Sequence, residues 1–384
     1  MRTLATRWLI GMLILPALLA SVAACGSGSG SGDGGRSLSL EDAVGQMLLI
    51  GFPGEQLDEE TVALLDDIAP GGVILFDYDL PSGGAKPRNI TSPVQLRSLI
   101  AELQGRADIA YFIAIDVEGG LINRLKSAYG FSIDLPSHRA LGAGSVAATG
   151  VAASASAAEL RALGINWNLA PVVDVNVFPE SPAIGALERS FSADPEVVAA
   201  HAAAFARAHA AADIISSLKH FPGHGSAAGD THLGVTDVTA SFVREDELAP
   251  YRMLIEDGYE DPVMTAHIVN RDLDPSGRPA TLSTAIVTGL LREELGFKGV
   301  ILSDDMQMGA IVEQYSLERA AVEAVKAGVD VILIANQLSD DRTEVYRAKR
   351  AILDAVAEGE ISEDRIYESV ERILALKRRY GMVD

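Results

Sequence analysis

The chain has 384 residues, 48% of them hydrophobic, and carries 53 acidic against 31 basic side chains for a formal net charge of −22. That length and apolar content suffice for a large buried core. The acidic balance excludes a nucleic-acid partner, because a polyanion is repelled rather than gathered.

The first residues differ from the rest. Arg2 and Arg7 form a short basic region, and the apolar run from Trp8 to Ala24 ends in Val22-Ala23-Ala24-Cys25. This is the layout of a secretory signal, and the run is short for a spanning helix. The last four residues resemble a bacterial lipobox, so the expectation is a signal peptide over 1–24 with acylation at Cys25. Cys25 is the sole cysteine. Once acylated, it leaves no thiol for a disulfide, a Cys-ligated metal or a Cys nucleophile. Residues 26–37 are Gly/Ser-rich, a flexible tether. The expected location is extracytoplasmic, lipid-anchored to the bacterial cell membrane.

From Leu38 onward, short apolar runs alternate with helical stretches. The expected strands are Gly45–Gly51, Gly72–Phe76, Tyr111–Asp116, Ile165–Ala170, Ile214–Lys219, Pro262–His267, Gly299–Ser303 and Gly328–Ala335. Such alternation predicts an α/β fold with parallel strands. A single catalytic domain over 38–384, built as a (β/α)8 TIM-type barrel, fits the number of units; an open doubly wound sheet is the alternative. Asp194-Pro195-Glu196 reads as an N-cap, first-turn proline and first-turn acid, opening an Ala-rich helix to about Ala212. Near the end, Ile366, Val370, Ile373 and Leu374 share one helical face. Glu363 and Asp364 lie in its first turn, Lys377 to Arg379 in its last, and Gly381 follows.

Three stretches carry chemistry. Lys219-His220-Phe221-Pro222-Gly223-His224-Gly225 continues to Asp230-Thr231-His232, crowding three of the seven histidines into one segment. Gly299 to Asp305 runs an apolar strand directly into two carboxylates, at the strand end where barrels place their chemistry. Asp304 or Asp305 could instead cap the next helix. Ile115-Asp116-Val117-Glu118-Gly119-Gly120, with Arg124 shortly after, again ends a strand in a carboxylate, although a plain turn explains its glycines nearly as well. Together these supply charge-assisted donors and acceptors for sugar hydroxyls, and the nucleophile and acid that glycosidic hydrolysis requires. Two other readings stay open. His220, His224, Asp230 and His232 could be metal ligands, but their spacing fits no standard zinc motif and Asp304 would be idle. A lipoprotein that captures glycans without turnover would also use such a rim.

These stretches resemble glycoside hydrolase family 3, in its single-domain β-N-acetylglucosaminidase (β-hexosaminidase) branch. The likeness extends to Val44-Gly45-Gln46-Met47, Asn168-Leu169-Ala170-Pro171 with Asp174, Glu188-Arg189-Ser190-Phe191, Met264-Thr265-Ala266-His267 and Leu290 to Phe297. It implies a retaining exo-enzyme that removes terminal non-reducing β-linked N-acetylglucosamine from peptidoglycan fragments or chito-oligosaccharides through a covalent glycosyl-enzyme. Asp304 would be the nucleophile, His232 the acid/base and Asp230 its dyad partner. Asp116, Arg124, Arg189, Lys219 and His220 would hold sugar hydroxyls, with His267 near them. No cofactor or metal is implied, and a monomer is expected. Within the family, a β-glucosidase or a phosphorylase remains an alternative. The chain departs from the resemblance at Leu121, where Arg is frequent, at Thr231, where Ser is usual, and at Ala186-Leu187, where Ile-Gly is commoner.

Overall fold

A computed structural model describes residues 38–339 and 341–384. The expected signal segment 1–24, the acylation site Cys25 and the tether 26–37 lie outside the described residues.

Short buried strands set the frame. They are β1 (Leu48–Ile50), β2 (Gly72–Ile74), β3 (Phe112–Ile115), a hairpin of β4 (Val117–Gly119) and β5 (Ile122–Asn123), then β6 (Trp167–Asn168), β7 (Leu218–Phe221), β8 (Val263–Thr265), β9 (Ile301–Ser303) and β10 (Ile332–Ile334). Five pair in the order β10-β1-β2-β3-β6 and three as β7-β8-β9. Parallel bridges Trp167–Ile215 and Val172–Lys219 join β6 to β7, and Leu302–Val331 joins β9 to β10. Except for the β4–β5 hairpin, every pairing among these strands is parallel. The strand ring therefore closes as a (β/α)8 barrel, and each expected strand contributes to it.

Helices fill the connections between successive barrel strands. Glu59–Ile68, Pro93–Gln104, Val146–Leu163, Pro195–Ala210, Arg244–Glu256, the π-helical Ala285–Glu294, Leu317–Ala327 and Thr343–Ala357 follow successive barrel strands, and Glu363–Arg379 ends the chain. Asp194 Oδ1 accepts from the Glu196 N–H at 2.9 Å, so the expected cap forms, and the helix stops two residues before Ala212. Ile366, Val370 and Ile373 are wholly buried, and Gly381 takes the left-handed conformation just past the last turn (φ 63°).

One boundary differs from expectation. Gly45 and Gln46 close the helix Leu40–Gln46 rather than opening β1. A Cβ on Gly45 would stand 2.3 Å from the Ile68 carbonyl oxygen, so its glycine serves a close helix contact. Gln46 Nε2 donates to the Ala69 carbonyl at 3.1 Å, and Lys377 Nζ donates to Gln46 Oε1 at 3.0 Å. These bonds hold the strand-entry end of the barrel, remote from the chemistry. At the other end, a Cβ on Gly51 would lie 1.7 Å from the Ala335 carbonyl oxygen, where β1 and β10 leave the barrel side by side. Gly51→Ala should cost about 3 kcal/mol by overpacking, seen as a lowered urea midpoint with an unchanged slope.

Candidate active site

The residues at and just beyond the C-terminal strand ends gather at one mouth, the end where such barrels place their chemistry. Asp116 follows β3, Glu118 sits in β4, Lys219 and His220 lie within β7, and Asp304 follows β9. With Arg124, Arg189, Asp230 and His232 they line a single cavity of about 200 Å³.

The wall is a chain of paired charges. Lys219 Nζ lies 2.8 Å from Asp116 Oδ1 and 2.7 Å from Glu118 Oε1. Arg189 grips Glu118 with two bonds of 2.8 and 2.7 Å, and its Nη2 stands 3.2 Å from His220 Nε2. Burial alone would raise the Glu118 carboxyl, but the Arg189 and Lys219 charges hold it well below the usual glutamate range. Likewise burial would lower Lys219, yet Asp116 and Glu118 keep its ammonium above the ordinary value. Arg124 lies 3.7 Å from Asp116 and 3.6 Å from Asp77, with its guanidinium over the Phe76 and Tyr78 rings. His220 is fixed from behind, its Nδ1 2.7 Å from Asp174 Oδ2 and its backbone N–H donating to Oδ1 at 3.1 Å.

The two adjacent aspartates divide their work. Asp305 Oδ1 accepts from the backbone N–H groups of Ala335 and Gln307 at 3.1 and 3.2 Å, which ties the end of β9 to that of β10. It caps no helix, and burial pushes its carboxyl up to about 7. Asp304 is left facing the cavity, with Oδ1 accepting from the Asp305 N–H at 2.8 Å. Burial opposes its ionisation, but the nearby His220, His267 and His232 and that N–H outweigh it and lower its pKa.

His232 belongs to the segment after β7. Its ring Nδ1 lies 2.8 Å from Asp230 Oδ1, which also accepts the His232 backbone N–H at 3.0 Å. This bond first, and the Asp304 and Asp230 charges after it, raise the imidazole above its ordinary value against a desolvation that lowers it. The same contact brings Asp230 down to about 2. The His232 side chain is 55% exposed and Asp230 26%, so the pair overhangs the mouth. The carbonyls of Thr231 and His232 accept from Ala310 and Gly309 at 3.1 and 3.2 Å, docking this segment on the chain that follows Asp304.

The structure thus brings together eight of the nine residues expected to work here: Asp116, Arg124, Arg189, Lys219, His220, Asp230, His232 and Asp304. His267 is the one of the nine that does not line the cavity. It is fully buried and both ring nitrogens are engaged, with Thr281 Oγ1 at 2.8 Å and the Asp305 carbonyl at 2.9 Å. It braces the Asp304–Asp305 turn from behind instead of reaching the cavity. Two residues given no role from sequence, Glu118 and Asp174, prove central. The signal for Glu118 was present: it lies two residues from Asp116 along an extended chain and so shares its face. Of the departures, Leu187 lines the cavity while Leu121 is 70% exposed at the hairpin tip.

A closed parallel barrel that gathers paired cations and carboxylates over a cavity of single-sugar size is the frame of a carbohydrate-active barrel. The sequence profile of the glycosyl hydrolase family 3 N-terminal domain matches residues 39–376, and the chain belongs to that family. It is 36% identical to beta-hexosaminidase A of Pseudoalteromonas piscicida, over 89% of this chain but only 61% of that relative. It is 35% identical to a beta-hexosaminidase of Xylella fastidiosa, over 88% of this chain and 96% of the relative. Among solved structures, a family 3 β-N-acetylglucosaminidase from Paenibacillus superposes with a TM-score of 0.82 at 38% identity, covering 90% of this chain and 63% of that one. A β-N-acetylhexosaminidase from Beutenbergia cavernae gives 0.78 at 30% identity, covering 89% and 99%.

Glu118→Ala would leave Lys219 and Arg189 buried with one partner fewer. The loss should be about 3–5 kcal/mol of stability, measured by chemical denaturation at neutral pH. The carboxyl titrates lower folded than unfolded, so its contribution is present above its ordinary 4.5 and is lost as the pH falls through the folded value. The variant and the parent should therefore converge in stability on acidification.

Proposed function

We propose that this chain is a retaining exo-β-N-acetylglucosaminidase, with Asp304 as nucleophile, His232 as acid/base and Asp230 as its partner. The observation that carries the proposal is that Asp304 and His232, from different elements, line one cavity. Asp304 attacks the anomeric carbon as the glycosidic C–O bond breaks, and the departing oxygen takes the His232 proton. Neutral His232 then removes a proton from water, the water oxygen attacks the same carbon, and the ester bond to Asp304 breaks with net retention. An imidazole titrates near neutrality, and Asp230 both orients it and favours its charged form. Asp116, Arg124, Arg189, Lys219 and His220 hold the sugar hydroxyls. A cavity of about 200 Å³ is below the roughly 300–1,000 Å³ of drug-sized sites, which suits one terminal sugar.

The relatives called beta-hexosaminidases and β-N-acetylglucosaminidases support this substrate over a β-glucoside. The decisive comparison is hydrolysis of a chromogenic β-N-acetylglucosaminide against the matching β-glucoside, with and without phosphate. Preference for the first, independent of phosphate, is expected; phosphate-dependent release would make the chain a phosphorylase. Asp304→Asn should lower turnover by about 10⁴-fold or more while retaining sugar binding by calorimetry. The protonated imidazole is the active form in the first step, so kcat/KM falls as the pH rises through its pKa. Because the Asp230 contact raises that pKa, Asp230→Asn should move the alkaline limb of the pH profile to lower pH.

We also propose that the enzyme is lipidated at Cys25 and works outside the cytoplasmic membrane, where peptidoglycan fragments are the preferred substrate and chito-oligosaccharides the second. The Val22-Ala23-Ala24-Cys25 sequence supports this. Cys25→Ser should abolish incorporation of labelled palmitate and release the protein from the membrane fraction.

A further inference from the structure

The segment that carries His232 leaves β7 through a tight root, and that root is held by two buried carboxyl groups. Asp174 Oδ1 accepts from the backbone N–H groups of His220 and His224 at 3.1 and 2.8 Å. On the other side, Glu247 Oε2 accepts from the Ser226 N–H at 3.3 Å, while its Oε1 accepts from the Val243 N–H at 3.1 Å. The second bond closes the first turn of the helix Arg244–Glu256, whose N-cap Val243 has no side chain able to do so. Glu247 thus binds one orphan helix donor and one donor of the acid/base segment at once.

Three observations set this carboxyl apart from an ordinary helix cap. It is completely buried, and among the described residues no Lys, Arg or His forms an ion pair with it. Burial first, with the Asp174 charge adding to it, pushes it up to about 7. Such a group costs stability where an apolar side chain would not. Finally, the segment is shaped to receive it. Gly223 adopts φ +140°, and a Cβ there would lie 2.8 Å from Glu247 Cβ and 3.0 Å from its Oε2. Only a glycine lets the root come down onto the carboxyl. Beyond the root, Ala227 and Thr231 are buried, and the far end is docked at Gly309 and Ala310. The direction in which the chain leaves Ser226 therefore bears on where the imidazole stands.

We propose that Glu247 is a positioning residue for the acid/base, acting through the Ser226 N–H and the Gly223 contact to set the reach of His232 over the cavity; this rests on the reading of His232 as the proton donor. It touches no substrate.

The test exploits the leaving group. kcat/KM reports the step that forms the glycosyl-enzyme. A sugar alkoxide, as in diacetylchitobiose, needs a proton to depart, whereas 2,4-dinitrophenolate does not. Glu247→Gln keeps the volume but turns an N–H toward one of the two donors. It should lower kcat/KM for diacetylchitobiose about ten- to hundredfold, and leave that for 2,4-dinitrophenyl β-N-acetylglucosaminide within about twofold of the parent. His232→Ala should show the same split, larger. Equal losses on both substrates, or no loss on either, in Glu247→Gln would overturn the proposal. A split in His232→Ala alone rejects the role of Glu247 and leaves the proton donor standing. Absence of a split in both rejects both. Should Glu247→Gln not fold, Glu247→Asp keeps the carboxyl but shortens its reach to the Ser226 N–H, and must give the same split.

Discussion

The Glu118 carboxylate, held between the Lys219 ammonium and the Arg189 guanidinium, is the contact on which the cavity depends. Its three members come from β4, from β7 and from the connection after β6, so one buried cluster fixes three separate crossings of the barrel mouth. Each charge alone would be costly to remove from water. Together they satisfy one another and leave outward-facing atoms whose positions cannot drift independently. Asp116 and His220 are attached to this cluster through Lys219 and Arg189. Sugar hydroxyls point in fixed directions, and in the proposed function this rigid wall of charged donors and acceptors is what discriminates among them.

Against that fixed wall the proposed nucleophile and acid/base are held differently. Asp304 stands at the end of a barrel strand, braced by Asp305 and, behind it, His267. His232 is half exposed on a long segment whose support is mainly backbone: Asp174 and Glu247 at its root, Gly309 and Ala310 at its end. The helix holding that end begins five residues after Asp304. The segment carrying His232 is therefore tied to the chain that leaves the Asp304 strand.

Much of this was legible in the sequence. Alternating apolar runs and helical stretches marked the eight barrel strands, because a strand buried on both faces needs a continuous apolar run. Carboxylates at strand ends marked the mouth. Less visible was anything that depends on what lies across the barrel. His267 ends a strand run as Asp116 and Asp304 do, yet Thr281 and the Asp305 carbonyl claim its ring, and neither is near it in sequence. By residue type alone Asp305 was interchangeable with Asp304; what separates them in the structure is the N–H of Ala335, thirty residues on, which donates to Asp305 Oδ1. Glu247 gave no sign at all, since a first-turn glutamate on a helix is ordinary and its second partner belongs to another element.

The central claim, that Asp304 carries the sugar through a covalent intermediate, is tested most directly by trapping. A fluorinated N-acetylglucosaminyl fluoride, which forms the glycosyl-enzyme quickly and releases it slowly, would be added to the protein and the peptides analysed by mass spectrometry. A single sugar adduct on Asp304 is the predicted result. An adduct on another residue, or steady turnover to the inverted anomer with none, would contradict it.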